Sequence, residues 1–219
     1  YTLGSAQGDA SGTIVAAGAS SSATRTALIN WVRGEDNFED ENANSSTTDI
    51  RASIHGDVLH SKPAVINYNR YGSDNDVYVY YGANDAIIRA VKGGYETDAT
   101  AAVQIQPGWE AWGFIPVEFM SSLNRLRTNS PSISSSFKKP YFADGSISVY
   151  TKDANGNGKL GDSGDSVNLY VAMRRGGRLI YALDVNNPHE PRFLWKIDNT
   201  SSGFSELGQT WSTPTVVTK

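Results

Sequence analysis

Between Asp153 and Asp165 the sequence reads Asp-Ala-Asn-Gly-Asn-Gly-Lys-Leu-Gly-Asp-Ser-Gly-Asp, a glycine-rich run with oxygen-bearing side chains at alternate positions. That spacing suits a calcium loop. Asp153, Asn155 and Asn157 fall at positions 1, 3 and 5, and Gly158 falls at position 6, where the chain must bend sharply. Lys159 at position 7 would offer its backbone carbonyl, so its charge is no objection. A hard cation asks for about six to eight oxygens, and this run presents most of them. Position 12 is Gly164 rather than Glu or Asp, which leaves Asp162 or Asp165 to close the coordination sphere. Two neutral amides among the early ligands imply modest affinity, suited to an extracellular calcium supply. The plainer account is an Asx-rich turn that binds nothing, because Asn, Asp and Gly populate turns for their own reasons. Five aligned features favour Ca²⁺ over that account.

The segments on either side must position the loop. Gly145–Tyr150 and Val167–Ala172 are rich in β-branched and aromatic residues and read as strands, so the loop joins two strands rather than two helices. Other strands are expected at His60–Ile66, Val77–Gly82 and Ala86–Val91, the last two joined by a turn at Ala83-Asn84-Asp85. The unit recurs. Tyr78-Val79 and Ile88-x-Ala90 reappear 92 residues later as Tyr170-Val171 and Ile180-x-Ala182, while the preceding strand reappears 83 later around Asp144–Val149. The difference of nine residues places the metal loop as an insertion into a repeated hairpin. His60–Ile66 is echoed once more by Trp211–Val217.

Repeated short antiparallel strands predict an all-β fold with minor helices, a partial β-propeller. The first blade is expected over about 56–139, the second over about 140–207 and the start of a third over 208–219. About two and a half blades cannot close a ring of four to eight. Residues 1–55 read as an N-terminal arm: a Gly/Ala/Ser/Thr-rich start, then a short amphipathic helix from Thr24 to Arg33 stopped at Gly34, then an acidic loop. An excursion from Gly93 to Lys139 holds an apolar strand near Trp109–Ile115. It also holds a helix that Pro116 begins and that aligns Phe119, Met120, Leu123 and Leu126.

The totals narrow the function. The 219 residues include 39% hydrophobic residues, enough for a core, and carry a formal charge of −4 with no basic patch, which speaks against nucleic acid as a partner. There is no cysteine, hence no disulfide framework. No run approaches the roughly 18 apolar residues of a membrane span. The chain starts at Tyr1, which reads as a processed or truncated chain with any signal peptide removed. The three histidines, His55, His60 and His189, lack cysteine or carboxylate neighbours at zinc spacing. Ser61 follows His60 directly, and strand neighbours point to opposite faces, so they do not form a nucleophile and base. Asp85 and Asp184 read as turn residues, and Arg174-Arg175 as a solvated hairpin tip.

Several segments, taken together and in order from about residue 24 onward, resemble the C-terminal propeller of the PilY1-type family of type IV pilus biogenesis and tip adhesin proteins. They are Ile29–Glu35, Gly56–Pro63, Tyr81–Asp85, Trp112–Pro116, Tyr141–Ser146, Gly176–Val185 and Gly208–Ser212. The resemblance implies a modified seven-bladed propeller, export from a Gram-negative cell and a place at or near the pilus tip. It further implies pilus minor pilins or a tip complex as partners, host or abiotic surfaces as targets, and a calcium loop that governs pilus extension against retraction. Asp153, Asn155 and Asn157 match the first ligands of that loop; its last ligand has no single counterpart, and Asp162 and Asp165 share the place. Ala86 stands where the family usually has Gly, and Arg89 where it often has His. Arg33-Gly34-Glu35 departs from the integrin-binding Arg-Gly-Asp of some members. The reading that follows is a non-enzymatic, calcium-binding propeller. The rival is a quinone-dependent dehydrogenase-like enzyme, whose blades look similar, or a structural propeller that binds a partner protein through its rim.

Overall fold

A computed structural model describes residues 22–38, 42, 44–72, 75–94 and 105–217. The low-complexity start of the expected arm, residues 1–21, lies outside them. The fold is all-β with minor helices: the described residues form two four-stranded antiparallel sheets, each a simple meander. Sheet 1 holds β1 (Ala64–Asn67), β2 (Val77–Gly82), β3 (Ile88–Lys92) and β4 (Glu110–Phe114). Sheet 2 holds β5 (Ile147–Lys152), β6 (Ser166–Ala172), β7 (Leu179–Asp184) and β8 (Arg192–Asp198). This arrangement is compatible with two neighbouring propeller blades.

Alternation decides which face is buried. In β2, Tyr78, Tyr80 and Gly82 point inward; in β6, Val167, Leu169 and Val171 do. The two inner faces meet in one core that also takes Ile66, Ile88, Trp112, Tyr181 and Leu183. Burying each of the large aliphatic side chains contributes about 1.5–3 kcal/mol. Gly82 at the end of β2 lies against the segment that leads into β5: a Cβ there would lie 2.2 Å from the Ala143 carbonyl oxygen, so only glycine admits the approach.

The register corrects the repeat. The pair Ala64↔Tyr80 in sheet 1 corresponds to Ile147↔Val171 in sheet 2, and Tyr80↔Ala90 corresponds to Val171↔Tyr181. The first strand is therefore displaced by 83 residues and the next two by 91, not 92. The insertion is eight residues, not nine. The match of Tyr78 to Tyr170 is a coincidence of type: Tyr78 is fully buried, whereas Tyr170 stacks on Trp195 on the opposite face of its sheet. A slip of one residue exchanges the two faces of a strand.

Two more expectations change. The strand near Trp109–Ile115 is β4, the outer strand of sheet 1, rather than part of an excursion between blades; it pairs with β3 through a bulge at Ala90/Val91. The helix after it is split. Pro116 stays outside with ψ 137°, a 3₁₀ segment covers Val117–Ser122, and α-helix continues only over Leu123–Thr128 (α2). Serines 121 and 122, poor helix formers, lie at the switch. Phe119 and Leu123 still face the core.

The N-terminal helix α1 runs over Ser22–Val32, and Gly34 follows it with φ 109°. Its Leu28 is buried, and it packs on α2. Residues 208–217, expected to begin a third blade, carry no strand. Thr210 ties this segment to sheet 2: its hydroxyl accepts from the Met173 N–H (2.9 Å) and donates to the Leu179 carbonyl (3.0 Å).

The β2–β3 connection carries a testable strain. Ala86, fully buried, sits at φ 76°, a left-handed conformation that costs a Cβ-bearing residue about 1–2 kcal/mol. Ala86→Gly relieves it at some cost in unfolded-chain entropy. The expected net gain is about 0.5–1 kcal/mol, read as a rise of about 1–4 °C in the thermal midpoint.

Candidate metal centre

The loop between β5 and β6 folds around Asp153. Its Oδ1 accepts from the Gly156 N–H (2.7 Å) and the Asn157 N–H (3.3 Å), and its Oδ2 accepts from the Gly158 N–H (2.7 Å). These backbone donors, Gly158 foremost, hold the Asp153 carboxyl below the ordinary carboxylate range, so it stays charged through mildly acidic pH. Gly158 has φ 76°, the left-handed bend that the loop needs at that point. Asn155 Oδ1 accepts from the Asn157 N–H (3.0 Å) and Asn157 Oδ1 from the Lys159 N–H (2.8 Å), two successive Asx turns.

The six residues singled out from sequence divide into two groups. Asn155 and Asn157 both direct Nδ2 at the same oxygen, Asp162 Oδ2, at 3.4 and 2.8 Å. Asp153 orders the backbone beneath them, and Lys159 follows in the same turn. Asp165 does something else. It is only 9% exposed, its Oδ1 accepts from the Ala154 N–H (2.8 Å), and its Oδ2 accepts from the Asp162 N–H (2.9 Å). Asp165 clasps the two ends of the loop together, whereas Asp162 presents its carboxylate to the amides.

This donor set fits a hard cation. Each Oδ1 of Asn155 and Asn157 already accepts one backbone N–H in its Asx turn, so ligation of an ion would draw on the second lone pair of that oxygen. Just behind, Asn186 Oδ1 is buried with no hydrogen-bond partner, on a side chain whose Nδ2 lies 3.4 Å from the Asp162 carbonyl oxygen. Among the described residues no group of three or more His, Cys, Asp or Glu gathers as a metal site. Any ion here therefore rests on two carboxylates supplemented by amides and a carbonyl, a set of modest charge.

Sequence reasoning missed several polar links, most of them between partners far apart in the chain. His60 Nδ1 donates to both Asp144 oxygens, at 3.1 and 2.9 Å, across the inter-sheet boundary. Asp85 is more than a turn residue: it accepts from Arg89 through both oxygens (2.9 and 2.6 Å) and from the Gly56 N–H (2.8 Å). Arg89 also reaches Glu110 (2.9 Å), so it joins the β2–β3 turn to β4. Arg174 and Arg175 are not a free tip, since Arg175 donates to the Tyr141 hydroxyl (3.0 Å) and both guanidiniums lie over the Trp211 ring.

The loop sits in a chain similar to known pilus proteins. It is 26% identical over 208 residues to the type IV pilus biogenesis factor PilY1 of Pseudomonas aeruginosa (strain UCBPP-PA14). It is 29% identical over 199 residues to a PilY1 homolog of Xylella fastidiosa (strain Temecula1 / ATCC 700964). The chain is related to the PilY1-type type IV pilus biogenesis factors. Each alignment covers 86% of this chain but only 15% of the relative, so the chain spans a small part of the PilY1 length. No family model matches the chain, and no solved structure does. Among the described residues no helix is long and apolar enough to cross a membrane.

Proposed function

We propose that this chain is a calcium-binding, non-enzymatic stretch of β-propeller within a type IV pilus biogenesis factor and adhesin. It would act outside a Gram-negative cell, at or near the pilus tip, with minor pilins or a tip complex as partners and host or abiotic surfaces as targets. The observation that carries the reading is the convergence of Asn155 and Asn157 on Asp162 above the pre-ordered Asp153 turn. This convergence occurs in an insertion that the sister sheet lacks and folds without. Propeller closure would come from blades outside this chain. Phe193, Leu194 and Trp195 of β8, each partly exposed, give such a neighbour an apolar strand edge, with Phe193 and Trp195 on opposite faces.

The ion's part follows from charge. With Ca²⁺ bound, Asp153 and Asp162 share one cation and the loop is pinned. Without it the two carboxylates repel and the loop loosens, which changes the surface offered to a partner and so the balance of pilus extension against retraction. Calorimetric titration with Ca²⁺ tests the reading. The native chain is expected to bind a single ion, and Asp153→Ala is expected to show no binding heat. Equal heats from the two would remove the loop from consideration.

A further inference from the structure

The ligand-bearing loop belongs to sheet 2, yet it is held from sheet 1. The Leu160 N–H donates to the Tyr68 carbonyl at 2.8 Å, and Asn69 Nδ2 donates to the Gly158 carbonyl at 2.9 Å. Both acceptor and donor sit in the β1–β2 connection, about 90 residues earlier in the chain. Gly158 is also the residue whose N–H fixes Asp153 Oδ2. The same connection is bonded to the turn after β7 in sheet 2, where the Tyr68 hydroxyl donates to the Val185 carbonyl at 2.6 Å. Next to Val185, Asn186 reaches the Asp162 carbonyl, and its own carbonyl oxygen would lie 3.1 Å from a Cβ at Gly161. The loop is thus wedged between a loop of sheet 1 and a turn of sheet 2.

We infer that Asn69 and Tyr68 are positioning residues for the cation, so that filling the loop and docking the two sheets are one coupled equilibrium. The inference rests on the calcium reading above. Asn69 holds the Gly158 carbonyl, and the N–H of the same residue, one peptide unit earlier, holds Asp153. Bringing Asp162 and the amides around an ion tightens the loop against the surface that Tyr68 presents. Coupling of this kind is reciprocal: whatever strengthens sheet docking strengthens ion binding by the same factor, and ion binding strengthens docking. The ion then acts as a clip between neighbouring sheets rather than as an ornament on one of them.

Asn69→Gly is the discriminating variant. Asn69 has φ 50°, a left-handed conformation that Gly adopts without strain, so the change deletes the amide and leaves the backbone. The 219-residue chain and this variant are titrated with Ca²⁺ by calorimetry. Exchange of the Leu160 backbone amide, which lies on the inter-sheet bond, is followed by NMR with and without the ion. Tyr68→Phe, which removes the hydroxyl link to sheet 2 together with the bond to the Tyr80 hydroxyl (2.7 Å), serves as a second variant away from the ligands. The expected result is binding about five- to tenfold weaker in both variants, the factor for one hydrogen bond. Ca²⁺ is also expected to slow Leu160 exchange markedly in the native chain and less in Asn69→Gly. Native-strength binding in both variants, with Leu160 exchange indifferent to Ca²⁺, would overturn the coupling and leave the calcium site standing. No binding by the native chain would overturn the calcium site and the coupling with it.

Discussion

Asp76→Ala is expected to lower the thermal midpoint of this chain by about 6–20 °C. Asp76 is fully buried at the start of β2. It accepts from Arg70 Nε (2.6 Å) and Nη2 (2.8 Å) and from Lys92 Nζ (3.0 Å). Lys92 is itself 1% exposed and lies 4.5 Å above the Tyr78 ring. Deleting the carboxylate strands the buried Lys92 and leaves the partly buried Arg70 without its partner, a situation that costs about 3–5 kcal/mol. Lys92→Met should cost less, because Asp76 would keep Arg70. The same network predicts the acid behaviour. Burial disfavours the Asp76 carboxylate, but the hydrogen bonds and charges of Arg70 and Lys92 outweigh it and hold the carboxyl below its ordinary value. A group with a depressed folded-state pKa contributes stability above its unfolded value of about 3.9 and loses it as pH falls through the folded value. Midpoints measured below about pH 4 should therefore fall in the native chain and flatten in Asp76→Ala.

Asp162→Ala and Asp165→Ala are expected to fail in opposite ways. Asp162 faces the two carboxamides, so its loss should weaken Ca²⁺ binding on the order of 10–100-fold or more and leave the ion-free midpoint nearly unchanged. Asp165 satisfies the Ala154 and Asp162 N–H groups at the base of the loop, so its loss should cost about 1–3 kcal/mol even in chelator. Calorimetry paired with thermal unfolding in chelator separates the two. If Asp165→Ala abolished binding with an unchanged ion-free midpoint, the roles assigned here would be reversed.

Much of this arrangement is written locally in the chain. Alternating burial in β2 and β6, Gly34 after α1 and the Asp153–Gly158 spacing are short-range signals, and each element formed where its pattern lies. What escaped was set by distance. Asp165 and Asp162 are both acids in a glycine-rich run; only the fold shows that one clasps backbone N–H groups while the other faces the amides. The Tyr68–Val185 bond joins residues 117 apart and the His60–Asp144 pair residues 84 apart, and no local pattern marks either. The register error at Tyr78 and Tyr170 has the same origin. Residue type alone cannot tell an inward tyrosine from an outward one, while cross-strand pairing can. β4 was detached from sheet 1 because its partner β3 lies across a connection longer than a hairpin turn.

The most direct test is a crystal structure of this chain grown with Ca²⁺, with the ion located by its anomalous scattering. The account predicts one peak between β5 and β6, about 2.3–2.6 Å from oxygens of Asp153, Asn155, Asn157 and Asp162 and from the Lys159 carbonyl. Density at saturating Ca²⁺ that shows no ion there, with Asn155 and Asn157 still donating to Asp162, would contradict it.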